Sequence, residues 1–268
     1  MPATGPAQRE AIAAARLARQ QLGAGLEAPL TDVLRLVEGP GNVPVTIADM
    51  PDGLSGALLI ERQQPFILLN GRDHPVRQRF TLAHEFGHWQ LGHGEVVDGP
   101  NSFAADQTNP EEVDANYFAA EFLAPAPAVT AWMEARGEPD VELALVVHLG
   151  LDFGISAEAA RIRLESARFL ASPARRVQLK NAIRAGEHRA LMFRLGLTEL
   201  QDTIAEAQGQ LPRLPARLRT NAIAAYERGM LDVNRLARLL RKNPDETERE
   251  LDAYEIRPEV AVDDEPDY

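Results

Sequence analysis

The sequence contains no cysteine, and that absence removes several chemistries at once. Disulfides, zinc-thiolate clusters, iron-sulfur centres and thiol nucleophiles are excluded, so any metal must be held by histidine and carboxylate. Long apolar runs are missing too. The opening residues, MPATGPAQREAIAAARLARQQLG, are alanine-rich and charged where a signal peptide is continuously apolar, and no later segment reaches membrane-spanning length. A soluble, cytoplasmic protein with no membrane partner is expected. There is no glycine-rich phosphate loop and no repeat of fixed period. Basic residues are in deficit, 28 against 40 acidic, for a net charge of -12, which argues against nonspecific coating of nucleic acid. The charge is also unevenly spread. Arg213 to Lys242 holds eight basic and two acidic residues, whereas Asp245 to Tyr268 holds eleven acidic residues and two arginines. An acidic disordered tail is expected over 256–268.

What is present is enough for more than one domain: 268 residues with 45% hydrophobic content can bury a sizeable core and carry small satellites. Residues 7 to 22 recur apolar at helical spacing and stop at Gly23, and Thr31 is placed to cap a short helix over DVLRLVE. Three strands follow, VPVTIADM, SGALLIE and PFILLNG, the last two joined by RQQP as a hairpin. Pro75 to Leu91 reads as one helix ended by Gly92 and Gly94, with Val76, Phe80, Ala83, Gly87 and Leu91 inward. Another helix opens at Pro110 and runs to about Leu123, where APAPA breaks the chain. The expected domains are 1–126, 127–172, 173–255 and the tail. Within the second, residues 141–169 carry an apolar helix, a turn at Gly154, Ser156 as N-cap and a second helix, the pattern of a helix-turn-helix.

The chemistry concentrates in TLAHEFGHWQLGH. On a helix, His84 and His88 leave the same face one turn apart, the separation that two ligands of one tetrahedral ion need. Glu85, beside the first, can reach a water on the metal without binding the metal, as a general base must. The bare five-residue pattern arises by chance in on the order of one chain in a hundred of this size, but here it lies among Leu82, Ala83, Phe86 and Leu91. Gly87 removes a side chain where a tight crossing would otherwise clash.

A three-histidine motif would require glycine at 91 and histidine at 94, and Leu91 and Gly94 stand there instead. His93 lies roughly 140° round the helix from His88 and past its glycine end, so it cannot join the ligand face without a sharp turn, and is either peripheral or a residue that supports a ligand from behind. A carboxylate from PEEVDANYFAAEFLAP is the better third ligand. Glu112 is the first choice, with Asn116 one turn later to orient it, and Glu111 and Asp114 are the alternates. Zinc is the expected metal, and manganese is a second cation that such donors accept. Tyr117, His93, His148 and His188 are the residue types available to steady an oxyanion.

These segments together resemble the ImmA/IrrE family of metallopeptidases. The matching residues are Arg79 to His88, then Glu112, Ala115 and Asn116, then FAAEFLAP at 118 to 125, within about residues 50 to 126. The resemblance implies Glu112 as third zinc ligand and Glu85 as catalytic acid/base. It implies site-specific cleavage of a small helix-turn-helix (XRE-type) repressor, which derepresses stress-response, phage or mobile-element genes. The expected fold class is α+β: a zincin-like, gluzincin-type peptidase domain with a small sheet and the HExxH helix, followed by mainly helical domains. Some relatives end in an α/β sensor domain, and this chain departs from them in its helical C-terminal part.

Two other functions are compatible with parts of the sequence. One is a DNA-binding regulator with a structural zinc site, supported by Arg161, Arg163, Arg168 and the basic stretch from 213 and opposed by Glu158 and Glu165. DNA binding is accordingly the less favoured partner. The other is an interaction module with an idle metal site, against which Glu85 argues, because structural zinc needs no adjacent base.

Overall fold

A computed structural model describes residues 5–98, 108–137, 140–198 and 213–258. It is a mixed α and β structure in which a small sheet carries one buried helix and the remainder is helical. Helix α1 (Pro6–Gln21) buries Ala11, Ala15 and Ala18 along one stripe. Its Arg19 is 1% exposed, and donates to the carbonyls of Gly25, Ala28 and Phe122. The loop after α1 is thereby tied to the end of a distant helix, and burial draws this guanidinium down to about 10. Helix α2 (Val33–Glu38) is capped by Asp32, which accepts from Arg35 N–H at 2.9 Å; Thr31, the expected cap, stands one residue too early.

Strands β1 (Val45–Ala48), β2 (Gly56–Glu61) and β3 (Gln64–Asn70) appear where the β-branched and leucine runs place them. The hairpin is tighter than the four-residue RQQP suggests. Glu61 pairs with Gln64, and Arg62 and Gln63 alone make the turn, with φ of 50° and 64°, the left-handed pair of a two-residue hairpin. A fourth strand, β4 (Val96–Asp98), was not expected. The sheet order is β1-β3-β2-β4, with β1 parallel to β3 and the other pairs antiparallel. The edge of β2 is therefore covered at Gly56 to Leu58, and β1 and β4 stand at the ends of the sheet.

Helix α3 (Pro75–Leu91) starts with Pro75 after His74, whose Nδ1 accepts from Val76 N–H, and ends at Gly92. Every residue from Thr81 to His88 is buried, so this half of the helix is enclosed on all sides rather than along the single expected stripe. Val76, Phe80 and Leu91 are only half-buried. Helix α4 (Pro110–Leu123) is capped by Asn109, which accepts from Glu111 N–H at 3.1 Å. It crosses α3 closely: a Cβ on Gly87 would meet the Phe118 ring at 2.8 Å.

APAPA is not a linker. Pro125 is the N-cap of α5 (Ala126–Glu134), and Pro127 sits in its first turn, where proline's fixed φ suits a helix start. Helices α6 (Leu143–Phe153) and α7 (Ala157–Ser166) follow. They meet at 101°, within the range of a helix-turn-helix pair, and Ser156 caps α7 by accepting from Ala159 N–H. Their Phe153 and Leu164 lie in one core with Phe86, Phe118 and Phe122, as does Leu179 of α8 (Pro173–Arg184). Glu121, 2% exposed, pairs with Arg16 of α1 at 2.7 Å and with buried Arg163 of α7. The packing thus runs through the boundaries expected at 126 and 172: the Glu121–Arg163 pair crosses the first, the pairs of Arg175 with Glu142 and of Arg176 with Glu165 cross the second, and one apolar core spans both.

Residues 1–211 group as one compact unit and 212–268 as another. The first includes α9 (Glu187–Arg194). The second contains α10 (Ala216–Glu227), α11 (Val233–Leu240) and α12 (Pro244–Ala253), around Ala222, Leu236 and Leu251. There Lys242 bonds to Glu250 at 2.6 Å. No single helix among the described residues is long and apolar enough to cross a membrane. The acidic tail expected over 256–268 lies, from 259 on, outside the described residues.

Candidate metal centre

Helix α3 presents His84 and His88 one turn apart, and both rings turn their Nε2 atoms to the same point, 3.0 Å from each other. Helix α4 supplies the third side. Glu112 Oε2 lies 3.3 Å from His84 Nε2, and Oε1 lies 3.6 Å from His88 Nε2. Of the three acids considered, Glu112 is buried, Asp114 is half-buried and Glu111 is exposed. The helical period alone does not make that choice, since Glu111 shares a face with buried Ala115 and Phe118 just as Glu112 does with Ala115 and Ala119; burial separates the two.

These distances fit a shared ion. Ligand atoms about 2 Å from one tetrahedral cation stand about 3.3 Å apart, and the three separations bracket that value. Both histidines are fully buried and Glu112 nearly so. Two imidazole nitrogens at van der Waals distance beside a buried carboxylate repel unless a cation or a proton lies between them. Among the described residues this is the one group of three such side chains able to hold a metal ion.

Glu85 is fully buried on α3. One residue after His84, it leaves the helix about 100° round from that ligand, towards the sheet. A Cβ on Gly56 of β2 would stand 2.8 Å from Glu85 Oε1 and would collide with the Thr81 methyl. Gly56 is therefore part of the site, and the sequence alone carried no signal for it beyond a glycine in a strand.

Asn116 is half-buried on α4, one turn after Glu112. Asp114, on the same helix, is pushed up from the usual carboxyl range by burial, with His93 pulling it back and Glu10 adding to the rise. His93 stands behind a ligand rather than at the periphery, because Gly92 at φ 74° supplies the sharp turn that brings the chain back. Its Nδ1 stands 2.8 Å from His88 Nδ1.

The other residues proposed for an oxyanion are scattered. Tyr117 is half-buried against the core, and His148 is exposed. His188 lines a separate cavity of about 300 Å³ with His74, Leu151 and Met192, whose walls include none of the four metal-site residues. Burial, and secondly Arg189, lowers its pKa.

Residues 42–165 match the family model of the IrrE N-terminal-like domain. This domain belongs to the ImmA/IrrE family of metallopeptidases. The match extends beyond the motif-bearing residues 50 to 126 and takes in α5, α6 and nearly all of α7, in agreement with the continuous core. The His-Glu-His helix and Glu112 both lie inside the IrrE-like domain. No curated protein matches the chain.

Proposed function

We propose that this chain is a zinc-dependent endopeptidase of the gluzincin type, with a zincin-like core, that cleaves a helix-turn-helix (XRE-type) transcriptional repressor and so derepresses stress-response or mobile-element genes. The observation that carries the reading is the convergence of His84, His88 and Glu112, on two helices of an IrrE-like domain, with buried Glu85 the next residue after His84. His84, His88 and Glu112 hold the ion, and Asn116 orients Glu112. Zinc, or manganese in its place, supplies Lewis acidity towards a peptide carbonyl and a water molecule. Glu85 takes a proton from the attacking water and returns it to the leaving amine, so that water is added across the C–N bond.

The substrate's extended linker pairs with the sheet end formed by β4, adding a strand. That end is suitably placed, since Asp98 of β4 pairs with Gly56, the residue against Glu85. The helical regions beyond α4 dock the folded part of the repressor. The DNA-binding alternative has lost its best residues. Arg161 is buried between Glu158 and Glu165, and Arg163 is buried on Glu121, which leaves only exposed Arg168 and the basic stretch from 213.

Co-expression with a repressor encoded nearby, in metal-supplemented cells, tests the proposal. A single defined repressor fragment, absent with Glu85→Gln, is the expected result. An intact repressor under all metal conditions would overturn the substrate assignment.

A further inference from the structure

His88 is fully buried, yet it has two ring nitrogens to satisfy. Its Nε2 faces His84 and Glu112. A ligand nitrogen must offer a lone pair, so the ring proton must sit on Nδ1, and a buried N–H needs an acceptor. His93 Nδ1 stands in reach at 2.8 Å, with the two rings edge to face at 64° and 4.9 Å between centroids. At that distance one of the two nitrogens carries the hydrogen and the other accepts it.

The turn that ends α3 makes this contact repeatable. Gly92 adopts φ 74°, and the backbone N–H of His93 donates to the carbonyl of His88 at 2.9 Å. His93 thus grips His88 twice, once through the backbone and once through the ring. A flexible side chain on a loop could not hold a bond to a buried ligand as reliably, because its rotamer entropy would oppose it.

We propose that His93 is the positioning residue of the metal centre: it accepts the Nδ1–H of His88, fixes that ring's tautomer and aims Nε2 at the ion. The partner is unusual in kind. Ligand histidines are commonly held by a carboxylate, a backbone carbonyl or water, and a neutral imidazole orients the ligand without adding negative charge. Glu112 then remains the sole carboxylate among the ligands and their direct ring partner, which keeps the bound cation strongly electrophilic. The inference rests on the metal-site reading above and deepens it.

The experiment uses the full chain as wild type, His93→Ala and His93→Gln, with zinc affinity measured by competition against a chromophoric chelator. A ¹H–¹⁵N spectrum of the zinc-loaded proteins reports the His88 ring proton directly. Wild type is expected to bind one zinc and to show a slowly exchanging downfield Nδ1–H. His93→Ala should bind zinc about 10- to 100-fold more weakly and lose that resonance. His93→Gln, whose amide oxygen accepts the same proton, should recover most of the affinity. Wild-type zinc affinity and an unchanged His88 resonance in His93→Ala would overturn the role of His93 while leaving the metal centre intact. Failure of wild type to bind zinc would instead overturn the metal-site reading itself.

Discussion

Gly56 of β2 and Glu85 of α3 approach so closely that no side chain fits between them. A Cβ on Gly56 would stand 2.8 Å from Glu85 Oε1 and would strike the Thr81 methyl on the way. The sheet therefore presses on the Glu85 carboxylate from one side while His84 and His88 leave another face of the same helix together. Rigid placement of this kind lets a buried carboxylate act as base without a search over rotamers.

Gly56→Ala should thus damage catalysis more than it damages the fold. Overpacking of this size costs about 1–3 kcal/mol, which urea denaturation measures. The displaced Glu85 should lower kcat by at least tenfold while zinc affinity stays near wild type. Unchanged kcat with lowered stability would show that Gly56 serves packing alone.

Glu85→Gln keeps the shape of the side chain and removes its basicity. A general base contributes about 10²- to 10⁴-fold, so peptide cleavage should fall by that factor. Zinc stoichiometry, read by atomic absorption, should remain at one, because Glu85 is not a ligand. Loss of the metal in this variant would move Glu85 into the ligand set.

Glu121 separates two kinds of ion pair in one residue. Its partner Arg163 is buried, whereas Arg16 is 41% exposed. Glu121→Ala strands a buried guanidinium and should cost about 3–5 kcal/mol. Arg16→Ala should cost about 0.2–1 kcal/mol, as for exposed pairs. Equal losses in denaturant titrations would contradict the continuity of α1, α4 and α7 through this carboxylate.

Much of the centre was legible because it is short-range. The four-residue spacing of His84 and His88 and the adjacent Glu85 follow from helical geometry alone, whereas the apolar period of Ala115, Phe118, Ala119 and Phe122 points to Glu111 and Glu112 together, and Asn116 one turn on, with the family resemblance, favours Glu112. What escaped was set by the tertiary structure. Gly56 touches Glu85 only because β2 runs under α3, and Glu121 meets Arg163 across 42 residues of chain. β4 is three residues long and has too few alternating positions to announce a strand. APAPA read as a break because proline and alanine mark both a linker and the first turn of a helix. The arginines of α7 read as outward-facing because an arginine in a helix usually is, and the glutamates that bury Arg161 and Arg163 sit on both its own helix and α4.

The central claim is that one cation joins His84, His88 and Glu112. Anomalous diffraction at the zinc edge on crystals grown with zinc tests it most directly. The account predicts a single strong peak about 2 Å from His84 Nε2, His88 Nε2 and a Glu112 carboxylate oxygen, absent in crystals of Glu112→Ala grown with stoichiometric zinc. A peak elsewhere, or full occupancy of the same position without Glu112, would contradict it.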